Sequence, residues 1–429
     1  MAAVPRAAHE SDAHAGHVHH VDPAELVPLE RYRQHVLGRI LPLEPVALDL
    51  LEAHGCVLAE DVVAAADVPA FVNSAMDGYA VRAGTTVDGA DLELVGEIAA
   101  GAGRLVDPGP GQAVRIMTGA PLPPGADAVV PVEVADEADG RVRLRVVPRA
   151  GENVRAAGED VRAGATVLSA GTRLGAADIG LCATVGRARV LVRPRPRVVV
   201  MSTGDELAEP DGPLAAGQIR DSNSYTLTAL AREAGAVASR RAIVPDDHGA
   251  LTEAFDGVAA RADVLVTTGG VSAGRYDLVK RVLAEMGDVR FSKVGMQPGM
   301  PQAFGFVSGR SARPLACFGL PGNPVSAYVS FEVFVRPALR LLQGRRDLQR
   351  PMVTAVLDEA VRSPEHKVSF LRVALHRADD GWRARPTGAQ GSGLLTSVVA
   401  ADGLAEIPAD RTSVDAGEPV VVHLLVDPT

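Results

Sequence analysis

Apolar residues recur at two different periods along this chain of 429 residues, and the switches between them divide it. From Leu29 the spacing is helical: Leu29, Tyr32, Val36, Leu37 and Ile40 fall three or four residues apart, one stripe of an amphipathic helix. A second short helix is expected over about 45–54, stopped by Gly55 as its C′ residue, with 57–66 extended. Between about 70 and 190 the rhythm becomes short apolar runs punctuated by Gly and Pro, among them Val114–Met117, Ala128–Val132, Val142–Val147 and Val190–Val192. Such runs read as strands of an all-β lobe rich in turns. Arg193-Pro-Arg-Pro-Arg197 follows as a stiff linker, because each X-Pro step disfavours helix.

Beyond the linker the pattern alternates. Strands are expected at Val198–Met201, 237–243, Val264–Thr267, about 289–294 and Leu315–Leu320, with helices near 223–234, 247–260 and 276–286. Strands alternating with helices of about 10–14 residues imply a parallel sheet wrapped on both faces. Asn323 reads as an N-cap and Pro324 as the first residue of a helix reaching about Gln343. From Pro351 the pattern is extended again, closing on Val420–Val426. The chain is too long for one ordinary core, so the expected fold class is α/β and multidomain. It has a tail over 1–24, an N-terminal helical segment and β-rich lobe over 25–193, a central doubly wound parallel-sheet domain over 194–345 and a small C-terminal β domain over 346–429.

Composition narrows the function classes. With 47% apolar and 22% charged residues the chain is globular. Aromatics are only 3% and the formal net charge is −10. With few stacking platforms and no basic stripe, nucleic acid is not an expected partner. A small anion remains compatible, because a few arginines and backbone N–H groups suffice to hold one. Cys56, Cys182 and Cys317 form no CxxC pair and read as buried small hydrophobes of a reducing compartment. No apolar run reaches the ~18 residues that span a bilayer, and the N-terminus lacks the order of a signal peptide. Cytoplasm is the expected location, with no membrane partner. His9, His14, His17, His19 and His20 crowd a segment with almost nothing to bury, which reads as a disordered tail rather than a metal site.

Ligands of doubly wound sheets bind beyond the carboxyl ends of the strands. That rule selects the loops Ser202-Thr-Gly-Asp-Glu206, Thr267-Thr-Gly-Gly-Val-Ser272 and Leu320-Pro-Gly-Asn-Pro324, all rich in Gly, hydroxyls or exposed backbone N–H groups. Each also has a plain structural reading, since Gly-rich strand-to-helix turns are common, Glu206 can neutralise a helix N-terminus and Asp277 can cap a helix. Asp246, Asp247 and Asp277 lie on or near the same side, and carboxylates share a pocket with phosphate only when a hard cation such as Mg²⁺ separates them. There is no Walker A sequence, and Gly101-Ala-Gly103 lacks the third glycine of a dinucleotide fingerprint. Gly270-Val-Ser-Ala-Gly274 matches a nucleophile elbow. The only histidines downstream of it, His366, His376 and His423, fall in the separate C-terminal region, which disfavours a serine hydrolase.

These loops, together with Tyr276-Asp277 and the extension to Ser326, resemble the molybdopterin molybdenumtransferase family, that of bacterial MoeA and the gephyrin E domain. Asn73-Ser-Ala-Met-Asp-Gly-Tyr-Ala-Val81, Arg115-Ile-Met-Thr-Gly-Ala-Pro121 and Gly151-Glu-Asn-Val-Arg-Ala-Ala-Gly-Glu-Asp160 extend the likeness over about 25–425, in the family's order. The resemblance implies a central domain of the molybdopterin-binding type. It also implies an enzyme that takes adenylyl-molybdopterin and molybdate, cleaves the phosphoanhydride, releases AMP and leaves molybdenum on the dithiolene. Mg²⁺, a homodimer with a shared cleft and contacts with other molybdenum-cofactor synthesis proteins are implied with it. Carried over motif by motif, the candidate catalytic residues are Asp77, Thr118, Glu206, Asp246 and Asp277, with Asp246 and Asp277 as metal ligands. The candidate binding residues are Arg155, Asp160, Thr203, Gly204, Gly269, Gly270, Ser272, Lys293, Pro321, Gly322, Asn323, Pro324, Arg372 and Ser392. By type, Arg155, Lys293 and Arg372 suit anion contacts, and Glu206 suits orienting a hydroxyl or water. Asp77 and Thr118 also have a turn reading, since Asp-Gly and Thr-Gly pairs are ordinary turn chemistry.

The chain departs from the family in one string. Where members often carry Lys-Pro-Gly-Lys-Pro, it has Gln297-Pro-Gly-Met-Pro301, so two cations are missing beside an anionic ligand. Hydrogen bonds from Gln297 lack charge assistance and are about half as strong. Arg275, often acidic elsewhere, restores some positive charge. The missing lysines motivate the competing reading, a non-catalytic pterin-binding or scaffold paralogue.

Overall fold

The computed structural model describes residues 23–101, 103–269, 278–307, 313–379 and 381–426. By contacts the chain forms two compact units, Met1–Glu44 with Arg193–Thr429, and Pro45–Val192. The first is built on six strands: β1 (Arg197–Ser202), β2 (Val237–Arg240), β3 (Val264–Thr268), β4 (Gly287–Lys293), β5 (Pro301–Val307) and β6 (Leu315–Leu320), in the order β2-β1-β3-β6-β5-β4. β2, β1, β3 and β6 are mutually parallel, whereas β5 runs antiparallel to both of its neighbours. Pro301–Val307 is a strand that the periodicity did not single out.

The parallel strands β1, β3 and β6 each feed two cores. Val198 and Val200 of β1 enter one, and Val199 and Met201 enter the other; Val264 and Val266 of β3 oppose Leu265, and Phe318 of β6 opposes Cys317 in the same way. Burial on both faces is why these strands are continuous apolar runs rather than alternating ones. One face is covered by α1 (Asn223–Glu233) and by the helical stretch of α4 (Pro324–Ser330), a π turn (Phe331–Val335) and α5 (Arg336–Leu342). Pro337 has no N–H to return to the carbonyl four residues earlier, and the widened turn just before it accommodates that loss. The other face carries α2 (His248–Ala259) and α3 (Leu278–Met286).

The helix Leu29–Leu37, grouped in sequence with the β-rich lobe, shares the first core. Its stripe finds an aromatic partner there, Tyr32 meeting Phe334 edge-on at 5.0 Å between ring centroids. After the sheet, strands Val368–Ala378, Gly381–Pro386, Met352–Leu357, Pro419–Leu424 and Gly403–Ile407 pair in that order and close back on the first. The doubly wound α/β core and the C-terminal β region agree with the expected fold class.

The unit Pro45–Val192 holds a six-stranded sheet and several smaller ones. The expected helix over 45–54 is instead a strand, Val46–Asp49, followed by a single turn, Leu50–Ala53. Antiparallel pairing with Arg189–Arg193 overrides the local period. A helix, Ala176–Thr184, interrupts the span read as all-β. Its start is held by Asp178, whose carboxylate accepts the Gly175 N–H at 2.8 Å. All three cysteines are buried and none forms a disulfide, and burial pushes the Cys317 thiol up to about 12. Among the described residues no helix is long and apolar enough to cross a membrane.

Candidate active site

Three strand ends meet in one place. Past β1, Thr203 bridges to Val244 and Gly204 turns the chain at φ +142°, where a Cβ would strike the Glu206 carboxylate. Past β3, Gly269 has φ +90°, and a Cβ there would lie 2.9 Å from the Thr203 carbonyl oxygen. Only glycine satisfies both demands. Past β6, Pro321 and Gly322 lie against the β3 turn: the Thr268 hydroxyl donates to the Pro321 carbonyl at 3.0 Å. The result is a cleft of about 1030 Å³ lined by Thr203, Glu206, Thr268, Gly269, Lys293, Pro321, Gly322, Asn323 and Pro324 among others, a size suited to a nucleotide-scale ligand.

The cleft has contrasting walls. Ser202, Thr203, Asn223, Thr268 and Ser326 supply hydroxyl and amide groups, while Phe291, Met300 and Pro301 supply apolar surface. Lys280, Lys293 and Arg220 add positive charge. The Lys280 ammonium stands 5.6 Å from the Phe291 ring centroid, and Lys293 reaches Glu25 at 2.5 Å. Met300, one of the two positions where a lysine is missing, is thus part of the apolar wall. Asn323 occupies the N-cap position expected of it, but its side chain makes no cap hydrogen bond. Its Nδ2 donates instead to the Ser392 Oγ at 2.9 Å, and the Val325 N–H donates to the Ser392 carbonyl at 3.0 Å, so Ser392 is brought to the cleft's rim. Arg372 stands behind that loop and is fully buried. Its guanidinium donates to Ser397 Oγ at 3.1 Å and to the Gly391 carbonyl at 3.2 Å, and no carboxylate among the described residues pairs with it. Burial lowers its pKa to about 10.

Acidic groups collect on the β1 side. The Asp246 N–H donates to Asp205 Oδ1 at 3.2 Å. Burial, then the charges of Asp205 and Glu206, hold the Asp246 carboxyl above the usual range. Asp247 is spent on capping α2, accepting the Ala250 N–H at 2.8 Å. Gly270, Ser272 and Asp277, and with them the nucleophile-elbow match, lie outside the described residues.

Asp77, Thr118, Arg155 and Asp160 belong to the other unit. There Asp77 Oδ1 accepts both the N–H and the hydroxyl of Thr118, each at 2.7 Å. Those two bonds, the backbone one first, hold its carboxyl below the usual range. Arg155 pairs in register with Asn73, in the same motif as Asp77. Asp160 lies apart, its N–H donating to the Val68 carbonyl at 3.0 Å. Sequence reasoning passed over Asp205, Asp221, Asn223, Lys280 and Phe291. The signal for Asp221 and Asn223 was present in Asp221-Ser-Asn223, a cluster of capping residues just ahead of a helix.

An open α/β sheet with a polar and cationic cleft beyond its carboxyl ends is the architecture of a ligand-binding α/β domain. Models of the MoeA N-terminal region (domains I and II), of a probable molybdopterin-binding domain and of the MoeA C-terminal region (domain IV) match residues 27–186, 199–341 and 354–425. Molybdopterin molybdenumtransferase 2 of Mycobacterium tuberculosis is 43% identical over 401 residues, covering 91% of this chain and 97% of the relative. The molybdopterin molybdenumtransferase of Haemophilus influenzae is 35% identical, covering 93% and 100%. A solved structure of a Pyrococcus molybdopterin biosynthesis MoeA protein superposes with a TM-score of 0.77 at 32% identity, covering 94% of this chain and 100% of the other. The chain belongs to the molybdopterin molybdenumtransferase, or MoeA, family, as its loop motifs implied.

Proposed function

We propose that this chain is a molybdopterin molybdenumtransferase of the cytoplasm, which takes adenylyl-molybdopterin and molybdate as substrates, releases AMP and leaves molybdenum on the dithiolene. The observation that carries the reading is the cleft, where backbone amides and hydroxyls face an apolar wall edged by lysines. Thr268, Gly269 and the Pro321–Asn323 loop receive the phosphoanhydride, and Lys293 balances its charge. Arg372, a buried cation that no carboxylate among the described residues pairs with, suits the oxyanion, with Ser392 beside it. Among the described residues no cluster of three acidic, His or Cys side chains is arranged to hold a metal ion; Asp246, whose carboxyl is raised by partial burial and then by the charges of Asp205 and Glu206, is proposed as one ligand of Mg²⁺. Asp277 is proposed as its second ligand. When bound, Mg²⁺ supplies charge neutralisation to the phosphoanhydride. Glu206 orients a hydroxyl or water.

Asp77, Thr118, Arg155 and Asp160 act in this reading from the partner subunit of a homodimer whose clefts are shared, and other cofactor-synthesis proteins hand over and receive the pterin. The test incubates purified protein with adenylyl-molybdopterin, molybdate and Mg²⁺. AMP released in step with molybdenum incorporation is expected. Tight pterin-nucleotide binding with no AMP would overturn the enzyme and leave the scaffold reading.

A further inference from the structure

One side chain ties the cleft's loops together, and it lies in none of the motifs quoted above. It is prepared by Asp221, which is 2% exposed. The Asp221 carboxylate accepts from the Ser202 hydroxyl at 2.9 Å, from the Ser224 N–H at 3.0 Å and from the Ser224 hydroxyl. The first turn of α1 is thereby fastened to the end of β1. Asn223, the first residue of α1, then reaches across to both other strand ends. Its Nδ2 donates to the Gly322 carbonyl at 2.6 Å and to the Thr268 hydroxyl at 2.9 Å. A carbonyl oxygen only accepts, so the amide's orientation is fixed. The single hydroxyl proton of Thr268 goes to the Pro321 carbonyl, which leaves that oxygen free to accept from Asn223.

The three partners form a closed bracket, from helix to β3 end to β6 loop, and every member lines the cleft. There is little slack in it: a Cβ on Gly322 would stand 3.7 Å from the Gly269 Cα, so the two loops touch backbone to backbone. The sheet beneath is held by its two apolar cores and does not depend on these bonds.

We propose that Asn223, acting through Thr268, is a positioning residue that sets the spacing of the Thr268–Gly269 turn and the Pro321–Asn323 loop, and through it the geometry in which the phosphoanhydride is cleaved. The proposal rests on the functional reading given above. Misplacing a reacting group by about 1 Å costs on the order of 10²-fold in rate.

The full-length protein is compared as wild type, Asn223→Ala, Asn223→Asp, Thr268→Val and the Asn223→Ala/Thr268→Val double variant. Asn223→Ala is expected to lower kcat about 10- to 100-fold while KM for adenylyl-molybdopterin moves about 3-fold or less. Asn223→Asp, the same shape without the donor, is expected to be no better. The double variant is expected to be no worse than the poorer single one, because both remove the same bracket. Hydrogen exchange at Gly269 and Val325 is expected to quicken in all four variants at nearly constant Tm. A multiplicative double variant, a rise in KM alone, or wild-type kcat in Asn223→Asp would overturn the proposal and make Asn223 a direct ligand contact. Exchange is read without turnover. Unchanged exchange at those amides overturns the bracket whether or not AMP is released, whereas quickened exchange with no AMP from the wild type overturns only the functional reading.

Discussion

Asp246 releases its proton less readily than an ordinary aspartate, because it is partly desolvated and faces Asp205 and Glu206. A raised folded-state pKa means that protonation favours the fold. Stability associated with Asp246 is therefore full below the usual carboxylate range and is lost as pH rises through the raised value. At neutral pH the carboxylate costs stability, and an uncharged amide in its place would not. Asp246→Asn is thus expected to raise Tm by roughly a degree or two near pH 7, with the gain vanishing in acid, while AMP release falls by about two orders of magnitude. Mg²⁺ is expected to raise the wild-type Tm by binding the folded state and to do so far less in the variant. Thermal scans at pH 7 and pH 4, with and without Mg²⁺, check this; a Tm that drops in the variant would make Asp246 structural. The residue was legible in sequence as a loop carboxylate near the strand ends. Its closeness to Asp205 and Glu206 was not, because they come together with it only through the bridge between Thr203 and Val244.

At the scale of elements, the cleft is made by turns that need particular backbones. Gly269 combines φ +90° with a carbonyl oxygen 2.9 Å from where a Cβ would sit, whereas Gly322 has its nearest neighbour at 3.7 Å and no positive φ. Gly269→Ala is therefore expected to cost about 1–3 kcal/mol and to lower AMP release by more than that loss of folded protein explains. Gly322→Ala is expected to keep the wild-type Tm. Urea unfolding of both variants beside the wild type measures the contrast; equal destabilisation would refute it. Sequence disclosed these turns because Gly and Pro punctuate an otherwise regular alternation of strands and helices. It hid β5, which lies between two antiparallel neighbours and so stands outside the strand–helix alternation. It hid the helix Ala176–Thr184 as well, whose Ala- and Gly-rich stretch carries little apolar period and whose best mark is a single capping aspartate. The strand Val46–Asp49 was misread for the opposite reason, since its partner lies more than a hundred residues away at Arg189–Arg193.

At the scale of the whole molecule, the candidate residues divide between two compact units. Glu206 and Lys293 line the cleft of one, and Asp246 feels the charge of Glu206. Asp77 is exposed on the other, its carboxylate held as a fixed acceptor by the Thr118 N–H and hydroxyl. The proposed homodimer with shared clefts makes a prediction that no single-chain site makes. Suppose that one chain carries Asp77→Ala and the other Asp246→Asn. If each site takes Asp77 from one chain and Asp246 from its partner, the mixed dimer places both lesions in one site and none in the other. Heterodimers co-expressed with two affinity tags and purified through both are then expected to release AMP at about half the wild-type rate, since a two-fold dimer has two equivalent sites. Each parent variant alone is expected to be nearly inactive. If instead each site is built within one chain, every site of the mixed dimer carries one lesion and the rate stays at the level of the parents. A chain that remains monomeric at assay concentration gives no doubly tagged species at all, and either result would return Asp77 to a role within its own unit.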